Sequence, residues 1–349
     1  MAPCLFFWLS HIPHDTSTST PAAHPGSTIL LTGAAGFIGS HVADALLARN
    51  QRVIALDNFD PFYDPSIKRA NIAQVRSAAK HPDQFELIEG DICDTPLVRD
   101  LLARTKPCGI IHLAAKAGVR PSIADPAGYA RTNVMGTSIL LDEARRAGVA
   151  RFVMASSSSV YGNAARVPFS ETDDVSQPIS PYAATKRACE LLAHTHWHLT
   201  RMPIACLRFF TVFGPRQRPD LAISLFLKRI SRAEPIDVFG DGSTSRDYTF
   251  VADIVRGVLA AHDHIDRFGY RVWNLGNSEP VTLSDMIATI ARTVDRAPHI
   301  TRKPAQPGDV ERTYADISRA QADLGYDPRT SFSEGIAKHW AWMTQRPNL

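Results

Sequence analysis

The amino-acid sequence predicts an α/β fold, in which a doubly wound parallel sheet is followed by a smaller mixed α/β domain. Short apolar runs alternate with longer amphipathic segments from Thr28 onward, as strands and helices do when they take turns along a chain. A glycine-rich turn follows the first apolar run, and the regular alternation ends near Gly214. These three observations favour one parallel sheet with helices on both faces, extended by a less regular C-terminal part.

The predicted strands are apolar along their whole length, which is typical of parallel strands that are buried on both faces. They span residues 29–31, 53–56, 85–88, 110–113, 152–154, 204–210 and 272–275. Amphipathic helices are predicted near residues 38–48, 95–104, 132–147, 181–200, 283–294 and 332–343, with another beginning near Leu221. Residues 238–247 are predicted to form a loop-rich hairpin region. In such a sheet the carboxyl ends of strands one and four flank a ligand crevice.

Three segments follow from this pattern. Residues 1–27 are predicted to be a disordered extension, because they are rich in Pro, Ser, Thr and His and lack the basic start and long apolar core of a signal peptide. Residues 28–213 are predicted to form the doubly wound domain, to which parts of 245–277 return. Residues 214–349 are predicted to form mainly the second, smaller domain.

Charge and cysteine usage narrow the classes of partner. The chain has 38 Lys and Arg against 35 Asp and Glu and no dense basic run, so binding to nucleic acid or to an anionic membrane is not expected. Its five cysteines lie far apart without a Cys/His cluster, which indicates a reduced, cytoplasmic protein with no metal site. The sequence also has no uninterrupted apolar stretch of about 20 residues, so no membrane span is expected.

The glycine-rich turn predicts a dinucleotide site. Gly33, Gly36 and Gly39 follow the first strand and open a helix, where a tight turn and free N–H groups accept a pyrophosphate. Asp57 ends the second strand about 20 residues further on, as expected for a carboxylate that binds a ribose hydroxyl. An acid there favours NAD over NADP, because it repels the additional phosphate. The pattern therefore predicts a Rossmann domain with bound NAD; the alternative is an unliganded turn, with Asp57 capping its strand.

Two further strand ends extend the predicted cofactor groove. Asp91 and Ile92 follow the third strand, where a carboxylate can meet the adenine amino group. The segment 113–116 follows the fourth strand with small residues that allow a dinucleotide to lie close. A plain structural role is the alternative for both segments.

Tyr182 and Lys186 form the predicted catalytic pair. They are four residues apart on a helix that Ser180 and Pro181 are suited to begin, so both side chains share one face. An ammonium about 4 Å from a phenolate stabilises it by about 4 kcal/mol at an effective dielectric constant near 20. Ser157 ends the fifth strand at the same edge of the sheet, where its hydroxyl can bind the reacting oxygen. A surface helix and a serine-rich turn are the alternatives.

Together these residues resemble the extended short-chain dehydrogenase/reductase family, specifically its NAD-dependent nucleotide-sugar epimerases and dehydratases. The likeness runs from about residue 29 to about residue 340 and includes the segments 207–210, 245–248, 274–277 and 307–310. It implies that Tyr182 takes the proton of a sugar 4-hydroxyl while NAD accepts the hydride from C4. Ser157 is then the hydroxyl partner, and Lys186 holds the nicotinamide ribose. The predicted cofactor-binding residues are Gly33, Gly36, Phe37, Ile38, Gly39, Asp57, Asn58, Asp91, Ile92, Leu113, Ala114, Ala115, Lys116, Asn133, Tyr182 and Lys186.

The resemblance also favours one reaction over others. The 4,6-dehydratases carry an Asp-Glu pair directly after the catalytic hydroxyl residue, and the nucleotide-sugar decarboxylases carry a Glu just before Val-Tyr-Gly. This chain has Ser158 and Ser159 instead, so acid/base elimination lacks its carboxylate. Epimerisation at C4 is favoured, with either lyase reaction or a non-catalytic NAD-binding protein as the alternatives.

The substrate is predicted from a further likeness to UDP-glucuronate 4-epimerases, shared by segments 57–69, 117–120 and 210–215. That group usually has Trp-Gly before its Arg-Pro-Asp, whereas Arg216-Gln217 stands here. Arg218 is a candidate for bidentate pairing with a C6 carboxylate, or else for diphosphate contact or a surface ion pair. The resemblance implies conversion of UDP-glucuronate to UDP-galacturonate by a homodimer, with UDP-glucose and UDP-N-acetylglucosamine as alternative substrates. The predicted substrate-binding residues are Arg120, Ser157, Ser158, Thr211, Arg218, Arg246 for the diphosphate and Asp309 for the uridine ribose.

Overall fold

The computed structural model describes residues 26–163, 166–304 and 311–345. The strands of these residues are β1 (Thr28–Thr32), β2 (Arg52–Asp57), β3 (Phe85–Glu89), β4 (Gly109–His112), β5 (Arg151–Ser157), β6 (Ile204–Phe209), β7 (Thr211–Phe213), β8 (Ile236–Phe239), β9 (Ser245–Phe250), β10 (Tyr270–Leu275), β11 (Pro280–Thr282) and β12 (Ile300–Lys303). The helices are α1 (Phe37–Ala48), α2 (Pro65–Ala78), α3 (Thr95–Thr105), α4 (Val119–Ala124), α5 (Pro126–Tyr129), α6 (Gly136–Arg146), α7 (Pro181–Thr200), α8 (Ala222–Ser231), α9 (Val251–His264), α10 (Leu283–Val294), α11 (Ser318–Leu324) and α12 (Phe332–Thr344).

Seven strands form one parallel sheet in the order β10-β6-β5-β4-β1-β2-β3. The order reverses between β1 and β4, since the chain leaves β1 toward β2 and β3 and then crosses back to β4. This confirms the predicted Rossmann-type sheet and its crevice position, because ligands bind at the carboxyl ends of the strands where the order reverses.

The central strand β1 shows that helices cover both faces of the sheet. Its Ile29, Leu30 and Leu31 are completely buried. Successive side chains of a strand point to opposite faces, and here Ile29 and Leu31 join the core that contains α1 and α9. Leu30 joins the core that contains α3, α6 and α7. An unbroken apolar run is therefore what a strand between two helical layers requires.

The C-terminal part adds two small sheets and one strand of the main sheet. Strand β9 pairs with β7 and β11, and β8 pairs with β12. The predicted hairpin over 238–247 is therefore wrong, because β8 and β9 each pair with a distant strand instead of with each other. Strand β10, predicted over 272–275, continues the main sheet beside β6.

One predicted helix contains two kinds of helical geometry. The segment predicted near 132–147 begins within a π-helical turn at Ala130–Met135, which follows α5, and continues as α6. The insertion changes the direction of the side chains that follow α5, and such π-helical turns are often found at functional sites. In the part of the chain that the structure describes, no helix is long and apolar enough to cross a membrane.

Candidate active site

A cleft of about 390 Å³ opens at the carboxyl edge of the main sheet, where the strand order reverses. Three motifs that are distant in the sequence meet there: the glycine turn, the serine end of β5 and the start of α7. The sequence-predicted residues that line the cleft are Gly33, Gly36, Phe37, Ile38, Gly39, Asp57, Asn58, Asp91, Ile92, Leu113, Ala114, Ala115, Lys116, Ser157, Tyr182, Lys186, Thr211 and Arg218.

The turn after β1 is fixed by close backbone packing. Gly33 has a φ of +71°, and a Cβ there would lie 2.6 Å from the backbone nitrogen of Ala114, so only glycine fits. Gly36 precedes α1, and no side chain of the described residues caps that helix. Because the first N–H groups of a helix have no partner within it, this end of α1 offers donors and a positive dipole to an anion in the cleft.

Asp57 joins the glycine turn to the loop that follows β2. Its carboxylate accepts hydrogen bonds from the backbone nitrogens of Ala35 at 3.0 Å and Phe59 at 2.8 Å. Burial raises the pKa of the Asp57 carboxyl, although both hydrogen bonds oppose the shift. Since Asp57 also lines the cleft, its oxygens are placed to accept a hydrogen bond from a ribose hydroxyl.

His112 connects strands β1 and β4 beneath the cleft. Its Nδ1 lies 2.7 Å from Oγ1 of Thr32, and its Nε2 lies 3.0 Å from Oγ1 of Thr137. Burial, with the charge of Lys186 as the second cause, lowers the pKa of His112 to about 3, so the ring is neutral near pH 7. Thr32 Oγ1 in turn accepts a hydrogen bond from the backbone of Ala114 at 3.3 Å, which holds the small residues after β4 in place.

Asn133 holds the loop after β4 against α7. Its Oδ1 accepts from the backbone nitrogen of Lys116 at 2.9 Å, and its Nδ2 donates to the carbonyl of Lys116 and to Oγ1 of Thr185, each at 3.0 Å. Asn133 is almost fully buried and does not line the cleft. Its side chain therefore positions cleft residues through hydrogen bonds within the protein.

Tyr182 lies in the first turn of α7. The Ser180 hydroxyl caps this helix, which confirms the predicted helix start. The backbone nitrogen of Tyr182 donates to Oγ of Ser122 at 3.1 Å, and the ring of Tyr129 packs edge-on against the Tyr182 ring at a centroid distance of 6.2 Å. These contacts fix the direction in which the phenol enters the cleft.

Lys186 lies one helical turn after Tyr182 and is 5% exposed. Its Nζ donates to the carbonyl of Ala155 on β5 at 2.8 Å. Within residues 26–163, 166–304 and 311–345, no carboxylate forms a salt bridge with this ammonium. Lys186 also lines the cleft, so its positive charge lies at the cleft wall.

The serine end of β5 is held from two sides. Ser157 Oγ donates to Oγ of Ser159 and accepts from the backbone nitrogen of Ser159, each at 3.1 Å. The preceding residue, Ser156, donates to Glu190 at 2.6 Å, and Arg208 binds both oxygens of that carboxylate at 2.9 Å. This buried network fixes the strand end from which Ser157 faces the cleft.

Arg218 lies on the C-terminal side of the cleft. Its Nε and Nη2 donate to Asp220 at 3.0 and 2.6 Å, and its Nη1 donates to the carbonyl of Ala117 at 3.5 Å. The guanidinium also stacks over the Phe62 ring, 4.7 Å from its centroid. A guanidinium has five N–H donors, so two remain for a ligand. Thr211 lines the same cleft and adds a hydroxyl.

Residues 30–339 match the model of a protein family described as GDP-mannose 4,6 dehydratase. The chain belongs to this family. It lies among the extended short-chain dehydrogenases/reductases that the sequence resembles.

Several relatives within this family are named UDP-glucuronate 4-epimerases. UDP-glucuronate 4-epimerase 4 of Arabidopsis thaliana is 42% identical over 91% of this chain and 75% of its own length. A probable UDP-glucuronate 4-epimerase of Rhizobium meliloti (strain 1021) is 35% identical over 90% of this chain and 96% of its own length. The crystal structure of UDP-glucuronic acid 4-epimerase from Bacillus cereus, in complex with UDP-glucuronic acid and NAD, is 35% identical. It superposes with a TM-score of 0.85, covering 91% of this chain and 99% of that one.

Four predicted substrate-binding residues do not line the described cleft or lie outside the described part of the chain. Arg120 stacks over the Phe239 ring at 5.5 Å, and Arg246 donates to the carbonyl of its preceding residue at 2.9 Å. Ser158 belongs to a short helical turn after β5. Asp309 lies outside the described residues. Their assignment to the substrate stays a prediction, and no metal-binding group of three or more His, Cys, Asp or Glu occurs among the described residues.

Several cleft residues were not predicted. Among them are Asp60, Phe62, Tyr63 and Lys68 from the loop after β2 and the first turns of α2, all within the segment that carries the family likeness. The orienting residues Ser122 and Tyr129 were also missed, because nothing in the sequence around them indicates contact with Tyr182.

Proposed function

We propose that this protein is an NAD-dependent UDP-glucuronate 4-epimerase, which converts UDP-glucuronate to UDP-galacturonate through a 4-keto sugar. The observation that carries the proposal is that Ser157, Tyr182, Lys186 and Arg218 line one cleft with the glycine turn. The names of the relatives support the same substrate.

The described residues fit NAD. Gly36 and the uncapped start of α1 would hold the pyrophosphate, Asp57 the adenosine ribose and Lys186 the nicotinamide ribose. When bound, NAD would accept a hydride from C4 of the sugar and return it to the opposite face of the 4-keto sugar. Since the cofactor is regenerated in each cycle, it has no need to leave the site.

Three side chains handle the proton of the sugar 4-hydroxyl. The Tyr182 phenolate accepts this proton during oxidation and returns it when the ketone is reduced. Lys186 would stabilise the phenolate, because it lies one helical turn after Tyr182 on α7 and lines the same cleft. The Ser157 hydroxyl donates a hydrogen bond to the sugar oxygen, since its Oγ lies at the end of β5 and lines the cleft.

The distribution of carboxylates supports epimerisation over dehydration. Among the described residues that line the cleft, the carboxylates are Asp57, Asp60 and Asp91. Asp57 ends β2 and Asp91 follows β3, on the side of the cleft predicted for adenosine, and the positions after Ser157 carry hydroxyls. Elimination at C5 and C6 therefore lacks a carboxylate next to the catalytic serine.

An assay without added NAD tests the proposal. The purified full chain is incubated with UDP-glucuronate, and the products are followed by proton NMR and mass spectrometry. We expect UDP-galacturonate at unchanged mass, formed by retained cofactor. A product lighter by water or CO₂ would overturn the proposal in favour of a lyase, and turnover restricted to UDP-glucose or UDP-N-acetylglucosamine would reassign the sugar.

Replacement of Ser157 tests the role of its hydroxyl in the reaction. We expect Ser157→Ala to lower kcat about tenfold, because it removes one neutral hydrogen bond worth about 1.4 kcal/mol in the transition state. Ser231→Ala is the control, since the Ser231 hydroxyl donates to the carbonyl of Lys228 at 2.9 Å on α8 and does not line the cleft, and it should change kcat less than about twofold. Equal effects of the two variants would contradict the role given to Ser157.

The assembly and the organisation of the chain are part of the proposal. Residues 28–213 would hold mainly NAD, and residues 214–349 mainly the UDP-sugar.

A homodimer is supported by exposed apolar side chains on and next to the adjacent helices α6 and α7. Met135, beside α6, is 43% exposed, and Leu191 and Leu199, on α7, are 52% and 75% exposed. We expect light scattering of the full chain to give twice its mass of 38.3 kDa; a stable monomer would contradict this. The four described cysteines form no disulfide, which supports a cytoplasmic location.

A further inference from the structure

The segment 214–218 follows β7 and leads to Arg218 at the cleft. Three successive side chains of this segment point in three directions. Arg218 lines the cleft, whereas Gln217 binds the carbonyl of Val212 at 3.0 Å and the hydroxyl of Ser224 at 2.9 Å. Arg216 turns away from the cleft toward α1 and α2, the two helices of the cofactor half that flank it.

Arg216 is anchored by two side chains of the cofactor half. Its Nη1 forms a salt bridge with Asp44 of α1 at 2.7 Å, and its Nε donates to Oε1 of Gln74 of α2 at 3.2 Å. His41 of α1 adds a hydrogen bond to the carbonyl of Pro215 at 2.9 Å. Only 10% of the Arg216 side chain is exposed, so solvent screens this pair less than it screens a surface pair.

The backbone conformation of Arg216 is energetically unfavourable. Arg216 has a φ of +63°, a left-handed conformation that is unfavourable for a residue with a side chain, and such residues persist where their surroundings fix them. Asp44, Gln74 and His41 supply those surroundings. The anchoring contacts therefore determine the path of the chain two residues before Arg218.

We propose that Arg216, paired with Asp44, is a positioning residue for Arg218 and sets the place of its guanidinium in the cleft. This inference rests on the proposed function, because it assumes that Arg218 meets the carboxylate of UDP-glucuronate. The Arg216–Asp44 pair connects α1, the helix that begins at the glycine turn, to the segment 214–218, which carries Arg218 into the cleft. A guanidinium that recognises a carboxylate bidentately depends on its angle as well as on its charge, so loss of the anchor weakens carboxylate recognition selectively.

The test measures the KM and kcat of the full chain for UDP-glucuronate, and the KI of UDP-glucose as a competitive inhibitor in the same assay. UDP-glucose has the same nucleotide without the carboxylate. We expect Arg216→Ala to raise KM about tenfold, as is usual for loss of one coupled contact, with kcat and the KI of UDP-glucose changed less than about twofold. Arg216→Lys should recover part of the loss, because it keeps a charge near Asp44.

Two further variants separate positioning from general stability. Arg49→Ala removes a more exposed ion pair of similar length, with Asp263 at 2.8 Å, directly after the other end of α1, and should leave KM unchanged. The double variant Asp44→Ala with Arg216→Ala should be no worse than Arg216→Ala alone, since both changes break one contact.

The outcomes distinguish failure of the positioning role of Arg216 from failure of the proposed function. An equal rise in KM and in the KI of UDP-glucose, or no rise in KM, would overturn the positioning role while leaving the proposed function in place. A wild-type protein that forms no UDP-galacturonate from UDP-glucuronate would overturn the proposed function first, and the inference with it.

Discussion

Tyr182→Phe is expected to lower kcat for UDP-glucuronate about 10³-fold, because the variant lacks the only atom of that side chain that can accept the 4-hydroxyl proton. The ring is kept, so its edge-on packing with Tyr129 and the backbone bond to Ser122 persist. KM and the amount of retained NAD should therefore change little. The measurement is the initial rate of UDP-galacturonate formation, with bound NAD quantified after denaturation of the protein.

Tyr129→Phe is the matched control for this variant. The Tyr129 hydroxyl donates to the carbonyl of Ala117 at 3.0 Å and takes no part in the proposed proton transfer. We expect its removal to change kcat less than about fivefold, as for one neutral hydrogen bond within the protein. A Tyr182→Phe enzyme that keeps more than a tenth of the parent rate would show that another group accepts the proton.

Local patterns explain why much of the site was predictable. The position of the glycine turn is predictable from seven residues, because Gly33 and Gly36 lie between one strand and the helix that directly follows it. Tyr182 and Lys186 share a helical face by spacing alone. The parallel sheet then brings these motifs to one edge, since all its strands end on the same side.

The direction of single side chains and the pairing of distant strands were not predictable in this way. Nothing in the sequence around Asn133 predicts that its amide, in the π-helical turn, forms three hydrogen bonds with Lys116 and Thr185. The pairing of β8 with β12 joins segments that are distant along the chain, whereas the hairpin prediction assumed local pairing. In each case the deciding contact is non-local, and a single sequence holds no record of it.

Arg218→Ala is expected to lower kcat/KM for UDP-glucuronate about 10²-fold to 10³-fold. The two guanidinium donors not used by Asp220 and Ala117 would otherwise form a charge-assisted pair with the sugar carboxylate, and a carboxylate left unpaired in a closed site costs about 3–5 kcal/mol. The fold should tolerate the change, because the Asp220 side chain is 45% exposed and can be hydrated. Initial rates over a range of UDP-glucuronate concentrations give the ratio.

The comparison ligand distinguishes the two roles that remained open for Arg218. If Arg218 binds the sugar carboxylate, the KI of UDP-glucose should change less than about threefold in Arg218→Ala, since UDP-glucose has a neutral hydroxymethyl group at that carbon. If Arg218 binds the diphosphate instead, both ligands lose affinity together. Arg218→Lys sharpens the distinction: a lysine keeps the charge that a diphosphate needs but loses the planar fork, so it should restore little of the activity on UDP-glucuronate. Full recovery by lysine would contradict bidentate carboxylate recognition and, with it, the reason for which this cleft selects a uronic acid.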